Sequence, residues 1–298
     1  GPELLTAAGH TVVYADRDMD IIRREIVDAD AVLVRIIELP GSLLTTAKNL
    51  KIVSKHGVGY DNIDLDYCKS HGIAVTITPN ANSLSVAEHA FTLMLTLAKN
   101  IIPVSNEYRT VGFAAKNHTP GIEMTGKTLG LIGMGRIGKY VLHMCKDGLD
   151  MHVIVYDPYI SEVPEGVEKV DDLSELLRRA DVVTLHCLLT DETRKLIDRE
   201  RLALMKPTAL LINCARGPIV DEAALIEALE NGRLAGAGLD VTDPEPVAPD
   251  SPLFKLPNVI VTPHYAPTTV ESATRVSKIA AENINAVLAS QEPVGRIV

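Results

Sequence analysis

Short apolar runs alternate with segments of helical spacing along the whole chain. Runs at residues 11–15, 31–34, 52–54 and 74–77 are each of a length suited to a buried strand, and stretches between them, such as residues 21–28, repeat their apolar positions at helical intervals. A longer helical pattern occupies residues 85–102. Beyond it the alternation resumes, with apolar runs at residues 128–132, 153–156, 182–185, 209–213, 237–240 and 259–261, and a last helical pattern near residues 270–289. Strands alternating with helices predict parallel sheets covered on both faces. Two such series predict an α/β fold of two doubly wound parallel-sheet domains, joined by helices, with a cleft between. The last helix follows completion of the second series and is expected to return to the first domain. One domain then comprises residues 1–84 plus 270–298 and the other residues 85–269, a double crossing suited to hinge closure.

Composition narrows the partners more than the fold. Hydrophobic residues make up 46% of the 298, and with no Trp and 3 Phe the cores must be filled by Leu, Ile, Val and Ala. A net charge of −10 argues against a nucleic-acid partner, which calls for clustered Lys and Arg. Cys68, Cys145, Cys187 and Cys214 are far apart and form no CxxC or Cys/His pair of metal-ligand spacing, so no metal is expected and a reducing, cytoplasmic location fits. The most apolar stretch, residues 90–98, is too short to span a bilayer, no secretory leader is visible, and no membrane partner is expected.

The strongest local signal is Gly133-Met134-Gly135-Arg136-Ile137-Gly138. Glycines are common in turns, so a bare G-x-G-x-x-G says little. Here an apolar run leads directly into Gly133 and a helical pattern opens after Arg136. In that context Gly133 permits the tight turn, Gly135 lets backbone approach a pyrophosphate, and Gly138 lets helix and strand pack closely. The helix N-terminus offers N–H groups to phosphate. Asp157 lies 19 residues after Gly138, at the end of the next apolar run. A carboxylate there accepts hydrogen bonds from ribose hydroxyls and repels a 2′-phosphate, so NAD is expected rather than NADP.

Ligands of open parallel sheets sit past the carboxyl ends of strands. Three ionisable residues fall there in the second series: Arg216 after residues 209–213, Glu245 after 237–240, and His264 after 259–261. Hydride transfer at C2 of a hydroxy acid also moves a proton at its oxygen. A histidine, whose ordinary pKa lies near neutrality, suits that proton transfer. Glu245 can hydrogen-bond the other ring nitrogen and fix the tautomer, and Arg216 can grip a carboxylate or polarise a carbonyl. In the first series, Gly57 and Gly59 follow the run at 52–54 and expose backbone N–H groups suited to a carboxylate. Lys55, Val58 and Gly59 are therefore candidate substrate-binding residues.

These residues are set in longer motifs: residues 57–64 (GVGYDNID), 82–89 (NSLSVAEH), 126–138 (GKTLGLIGMGRIG), 181–186 (DVVTLH), 213–222 (NCARGPIVDE), 238–246 (GLDVTDPEP) and 262–264 (TPH). Over nearly its whole length the chain resembles the D-isomer-specific 2-hydroxyacid dehydrogenases. The resemblance implies two Rossmann-like domains and NAD-dependent hydride exchange with a small D-2-hydroxy or 2-keto acid, of 3-phosphoglycerate or hydroxypyruvate/glyoxylate type. It makes Arg216, Glu245 and His264 the catalytic residues, with Arg216 also on the substrate. It places Arg136 and Ile137 at the pyrophosphate, Asp157 at the ribose, and Cys214, Ala215 and Asp240 on the nicotinamide side, with Thr78 and Cys187 nearby. It also implies a homodimer with the helix near residues 85–102 at the subunit contact.

Three departures qualify the resemblance. The family usually begins with a strand ahead of the region equivalent to residues 1–5. It usually has Pro where this chain has Leu188. Phosphoglycerate enzymes tend to carry Arg at the Lys55 position, and Lys keeps the charge without the bidentate fork. On the resemblance, the C-terminal regulatory domain of some phosphoglycerate enzymes is also expected to be absent, the last helical pattern running almost to Val298. Two other readings compete. Formate dehydrogenases pair the histidine with Gln, against which Glu245 speaks. An NAD-sensing corepressor of the same fold would keep Arg, Glu and His, and turnover against peptide binding separates it from an enzyme.

Overall fold

The computed structural model describes residues 1–298. The first part of the chain forms α1 (Pro2–Ala7), α2 (Met19–Glu25), β1 (Ala31–Val34), α3 (Gly41–Leu44), β2 (Ile52–Lys55), α4 (Leu65–Ser70) and β3 (Ala74–Thr76). Then come α5 (Ser83–Ala98), α6 (Ile101–Val111), β4 (Thr128–Ile132), α7 (Arg136–Leu149), β5 (His152–Tyr156), β6 (Val167–Lys169) and α8 (Leu173–Arg179). The series continues with β7 (Val182–Leu185), α9 (Arg199–Leu202), β8 (Leu210–Asn213), α10 (Glu222–Glu230), β9 (Gly236–Leu239) and β10 (Val259–Val261), and ends in α11 (Val270–Leu288). Two compact units result, one of residues 1–82 with 268–298 and one of residues 83–267. Every strand pairing is parallel.

In the first unit the strands lie in the order β1-β2-β3. The central strand is buried on both faces because successive side chains alternate. Ile52 packs with Leu5 of α1 and Ala281 and Ile284 of α11, while Val53 packs with Val34, Leu44, Cys68 and Val75 on the other face. The buried Ser54 hydroxyl donates to the Ala280 carbonyl of α11 at 3.0 Å. The strand expected at residues 11–15 does not form: the segment joins neither sheet. Val12 alone reaches the core, Val13 and Tyr14 are exposed, and Asp16 and Arg17 at positive φ turn the chain into α2. One inward side chain without a partner ladder does not hold a strand.

In the second unit the order is β10-β9-β8-β7-β4-β5-β6. The chain enters at β4, moves outward to β6, returns to β7 on the other side of β4, and builds outward again. The reversal between β4 and β7 is the crevice where doubly wound sheets bind ligands. One face of the sheet packs on α5 and α7, the other on α8, α9 and α10. Gly130 sets the closeness of α8, since a Cβ there would lie 2.5 Å from Leu176 Cδ2 and 2.9 Å from Ala180 Cβ. Edge strand β6 left no apolar run because only Val167 of its three residues is apolar. The single helix expected over residues 85–102 is two helices. Asn100 adopts left-handed backbone (φ 50°) and Pro103 sits in the first turn of α6, where its missing N–H costs nothing.

Candidate active site

The Gly-rich loop can be built from sterics alone. β4 runs into Gly133, whose φ of +88° favours glycine. A Cβ on Gly133 would meet Cys187 N at 2.8 Å, and one on Gly138 would meet Gly133 O at 2.3 Å. Around Gly135, by contrast, nothing lies within 4 Å of such an atom. Two glycines thus serve close packing and the middle one fronts open space that a side chain would fill. α7 starts at Arg136 with no side chain capping it, so N–H groups of its first turn are available to an anion. Asp157, at the end of β5, accepts from Met134 N at 2.9 Å and from Tyr159 N at 3.0 Å, which seats the carboxylate against the loop. An open glycine cradle, helix N–H groups and an adjacent acid fit the pyrophosphate and ribose of a dinucleotide.

Three loops past β8, β9 and β10 carry the ionisable residues. Asn213, the buried last residue of β8, brackets the turn that follows: its Oδ1 accepts from Ala215 N at 3.0 Å and its Nδ2 donates to Arg216 O at 2.9 Å. Gly217 nests on the loop after β9 so closely that a Cβ would lie 1.9 Å from Thr242 O. Asp240 organises the loop after β10. Its carboxylate accepts from Thr262 Oγ1 at 2.5 Å, Tyr265 N at 2.7 Å and Ala266 N at 2.8 Å. Its carbonyl accepts from His264 N at 2.8 Å, holding His264 at φ 53°. The result is a 2.6 Å contact between His264 Nδ1 and Glu245 Oε1, the ring half-buried and the carboxylate exposed. With Nδ1 held by the carboxylate, Nε2 is the nitrogen left to exchange a proton with a ligand. Arg216 donates Nη1 to Ala215 O at 2.7 Å.

In the first unit, the loop after β2 turns at Gly57 (φ +137°), whose carbonyl accepts from the N and Oγ1 of Thr78 at 2.9 and 3.2 Å. The N–H groups of Val58 and Gly59 donate to no acceptor within the protein. Two backbone donors so presented suit a carboxylate.

Residues 91–266 match the D-isomer specific 2-hydroxyacid dehydrogenase NAD-binding domain. The chain belongs to that family. It is similar to D-3-phosphoglycerate dehydrogenase of Methanocaldococcus jannaschii, 43% identical over 96% of this chain and 55% of the relative. It is also similar to glyoxylate reductase of Thermofilum pendens, 38% identical over 98% of this chain and 89% of the relative. The chain spans about half the length of the phosphoglycerate dehydrogenases it matches. Among solved structures, D-lactate dehydrogenase from Aquifex aeolicus, complexed with NAD and lactic acid, aligns with a TM-score of 0.90 at 33% identity, covering 97% of this chain and 92% of that one.

Four side chains named from sequence turn inward. Asp240 is 1% exposed and its carboxylate holds the His264 loop. The Cys214 thiol lies in the core beside α5, where burial raises its pKa well above the usual value. Thr78 is buried on the Gly57 carbonyl. Lys55 is 7% exposed, with its ammonium on Arg35 O and Asn62 Oδ1. Cys187 and Ala215 stay half-buried, and burial pushes the Cys187 thiol up to about 11. His186 keeps a partly exposed edge, but its Nδ1 is sealed without a partner, and desolvation lowers the ring to about 3.

Sequence reasoning missed the residues that place the ionisable ones. Asn213, Thr262 and Gly217 stood inside recognised motifs without a role. His89 of α5 sits with Nε2 3.0 Å from Thr262 Oγ1 and 3.5 Å from Asp240 Oδ1. The one available signal was Asn213 itself, a polar residue closing an apolar run.

Proposed function

We propose that this 2-hydroxyacid dehydrogenase catalyses NAD-dependent interconversion of a small D-2-hydroxy acid and its 2-keto acid, of 3-phosphoglycerate or hydroxypyruvate/glyoxylate type. The observation that carries the reading is the His264–Glu245 pair in the unit that also holds the open Gly135 cradle. NADH bound at that cradle supplies the hydride for C2. Arg136 and Ile137 N–H groups hold the pyrophosphate and Asp157 the ribose. His264 donates a proton from Nε2 to the C2 oxygen, and Glu245 stabilises the protonated ring. Arg216 polarises the carbonyl and orients it, and Val58 and Gly59 N–H groups take the carboxylate.

The test is NADH oxidation against hydroxypyruvate, glyoxylate, pyruvate and 3-phosphohydroxypyruvate, each repeated with NADPH. Turnover of at least one acid with NADH is expected. Tight NADH binding with no turnover of any acid would overturn the reading.

The working form is proposed to be a homodimer in a reducing, cytoplasmic compartment. α6 buries none of its residues: Ile101, Ile102, Tyr108 and Val111 are all exposed, and Phe113, just past its end, is 73% exposed. An apolar face of this kind fits a second copy. Sedimentation should give a mass near twice the 32.2 kDa chain, and an I102E variant should shift it toward monomer. All four cysteines are free, and no helix is long and apolar enough to cross a membrane.

A further inference from the structure

At the carboxyl ends of the first unit's strands, one buried cation joins two loops. Lys55 closes β2, and its Nζ donates to Arg35 O, just past β1, and to Asn62 Oδ1, each at 2.5 Å. Asn62 is buried too. Its Nδ2 donates to Ile37 O at 2.6 Å, and its carbonyl accepts from Leu39 N at 2.8 Å. The segment after β1 and the segment after β2 are therefore bound to each other through one ammonium and one amide. Between Lys55 and Asn62 lie Val58 and Gly59. The near side of their loop is fixed by Thr78 on Gly57 O and by His56 Nε2 against Ser277 Oγ at 3.1 Å. The far side is fixed by the Lys55–Asn62 contact.

A buried ammonium needs acceptors at hand, because desolvating it unpaired is costly. Lys55 has them in the two loops, and its side chain is enclosed by the residues it joins. Turning the ammonium toward a ligand would strip Arg35 O and Asn62 Oδ1 of their donor and loosen the loop that presents Val58 and Gly59.

We propose that Lys55 is a positioning residue: with Asn62 it holds the Val58 and Gly59 N–H groups in place for the substrate carboxylate and does not itself contact the substrate. This rests on the reading that Val58 and Gly59 take that carboxylate. Selection between phosphorylated and unphosphorylated acids then does not run through Lys55, although a cation at the end of β2 invites that assignment.

The experiment compares wild type, K55M, K55R, N62A and K55M/N62A. It measures KM and kcat for hydroxypyruvate, glyoxylate and 3-phosphohydroxypyruvate, NADH affinity by fluorescence, and backbone amide exchange. K55M and N62A should each raise KM tenfold or more, by a common factor for every acid that turns over. kcat should move far less and NADH affinity not at all. The double variant should be no worse than the poorer single one, and K55R should recover most of the loss. Amide exchange at residues 35–39 and 57–63 should quicken in K55M and N62A. A K55M defect confined to the phosphorylated acid, with N62A harmless, would overturn the proposal in favour of direct contact. Unchanged exchange in both variants would overturn it as well. Should K55M fail to fold, N62A and K55R carry the comparison. Should wild type turn over none of the acids, the dehydrogenase reading fails by itself, while exchange still decides whether Lys55 and Asn62 hold the loop.

Discussion

His264 and Glu245 lie 19 positions apart in the chain, yet Nδ1 of one is 2.6 Å from Oε1 of the other. Each stands on a separate loop, past β10 and β9, and these strands are neighbours in the sheet. The contact fixes which ring nitrogen faces a ligand. Replacing His264 with Ala should lower kcat by about 10²–10⁴-fold, the usual worth of a positioned acid–base group. NADH affinity should be unaffected, because the cradle lies past β4. E245Q should cost less than H264A, since the amide still accepts from Nδ1–H but removes the charge that stabilises the imidazolium. Steady-state rates and fluorescence titration check both, and near-normal turnover of H264A would remove the histidine from the chemistry.

Asp157 and Met134 N are 2.9 Å apart, which places a negative charge at the rim of the cradle. A carboxylate facing a phosphate at about 4 Å is worth about 1–4 kcal/mol of repulsion near a protein surface. Exchanging Asp157 for Arg should therefore move the NADPH/NADH ratio of kcat/KM by roughly tenfold or more toward NADPH. An unchanged ratio would take Asp157 out of the ribose site.

The glycines separate folding from binding. G217A drives a Cβ to within 1.9 Å of Thr242 O, and that atom belongs to backbone that cannot swing aside. A loss of about 3 kcal/mol or more is expected, read as a lower Tm. G135A meets no atom within 4 Å, so Tm should stay as in wild type while NADH binds at least several-fold more weakly. Equal effects of G135A on stability and on binding would contradict the cradle.

His186 makes the fold sensitive to acid. Its folded pKa is lowered to about 3 from an ordinary 6.5 because desolvation disfavours the charged ring. Above the ordinary value both folded and unfolded chains are neutral at this site, and it adds no pH dependence. Between about 6.5 and about 3 the unfolded chain takes a proton that the folded one refuses, so stability falls as pH falls. The slope from this one group approaches about 1.4 kcal/mol per pH unit. Urea unfolding of H186Q should show a shallower loss over that window. Parallel curves for the two proteins would show that the ring titrates normally in the fold.

Several elements were legible because local pattern settles them. The apolar runs at 128–132 and 182–185 became strands with those same bounds, since a run buried on both faces has little freedom in register. Others were decided by neighbours. Residues 11–15 carry a strand-like pattern, but only Val12 finds a core. Val167, Glu168 and Lys169 lack such a pattern, yet β5 offers a free edge and they pair with it. Lys55 followed a strand as a substrate cation would, and only the approach of Arg35 O and Asn62 Oδ1 showed what its ammonium holds.

Composition, periodicity and the order of glycines and charges by themselves determined the parallel α/β plan, the dinucleotide loop and the three ionisable residues past strand ends. Those depend on sterics and hydrogen bonding within a few residues, which the chain carries wherever it goes. Tertiary structure alone decided which polar side chains face outward and which are drawn in to hold others. Asp240 gathers Thr262, Tyr265 and Ala266, and Asn213 brackets Arg216, because neighbouring strands deliver distant residues to one place. A buried carboxylate or ammonium takes whatever partners that convergence provides, and no local pattern names them in advance.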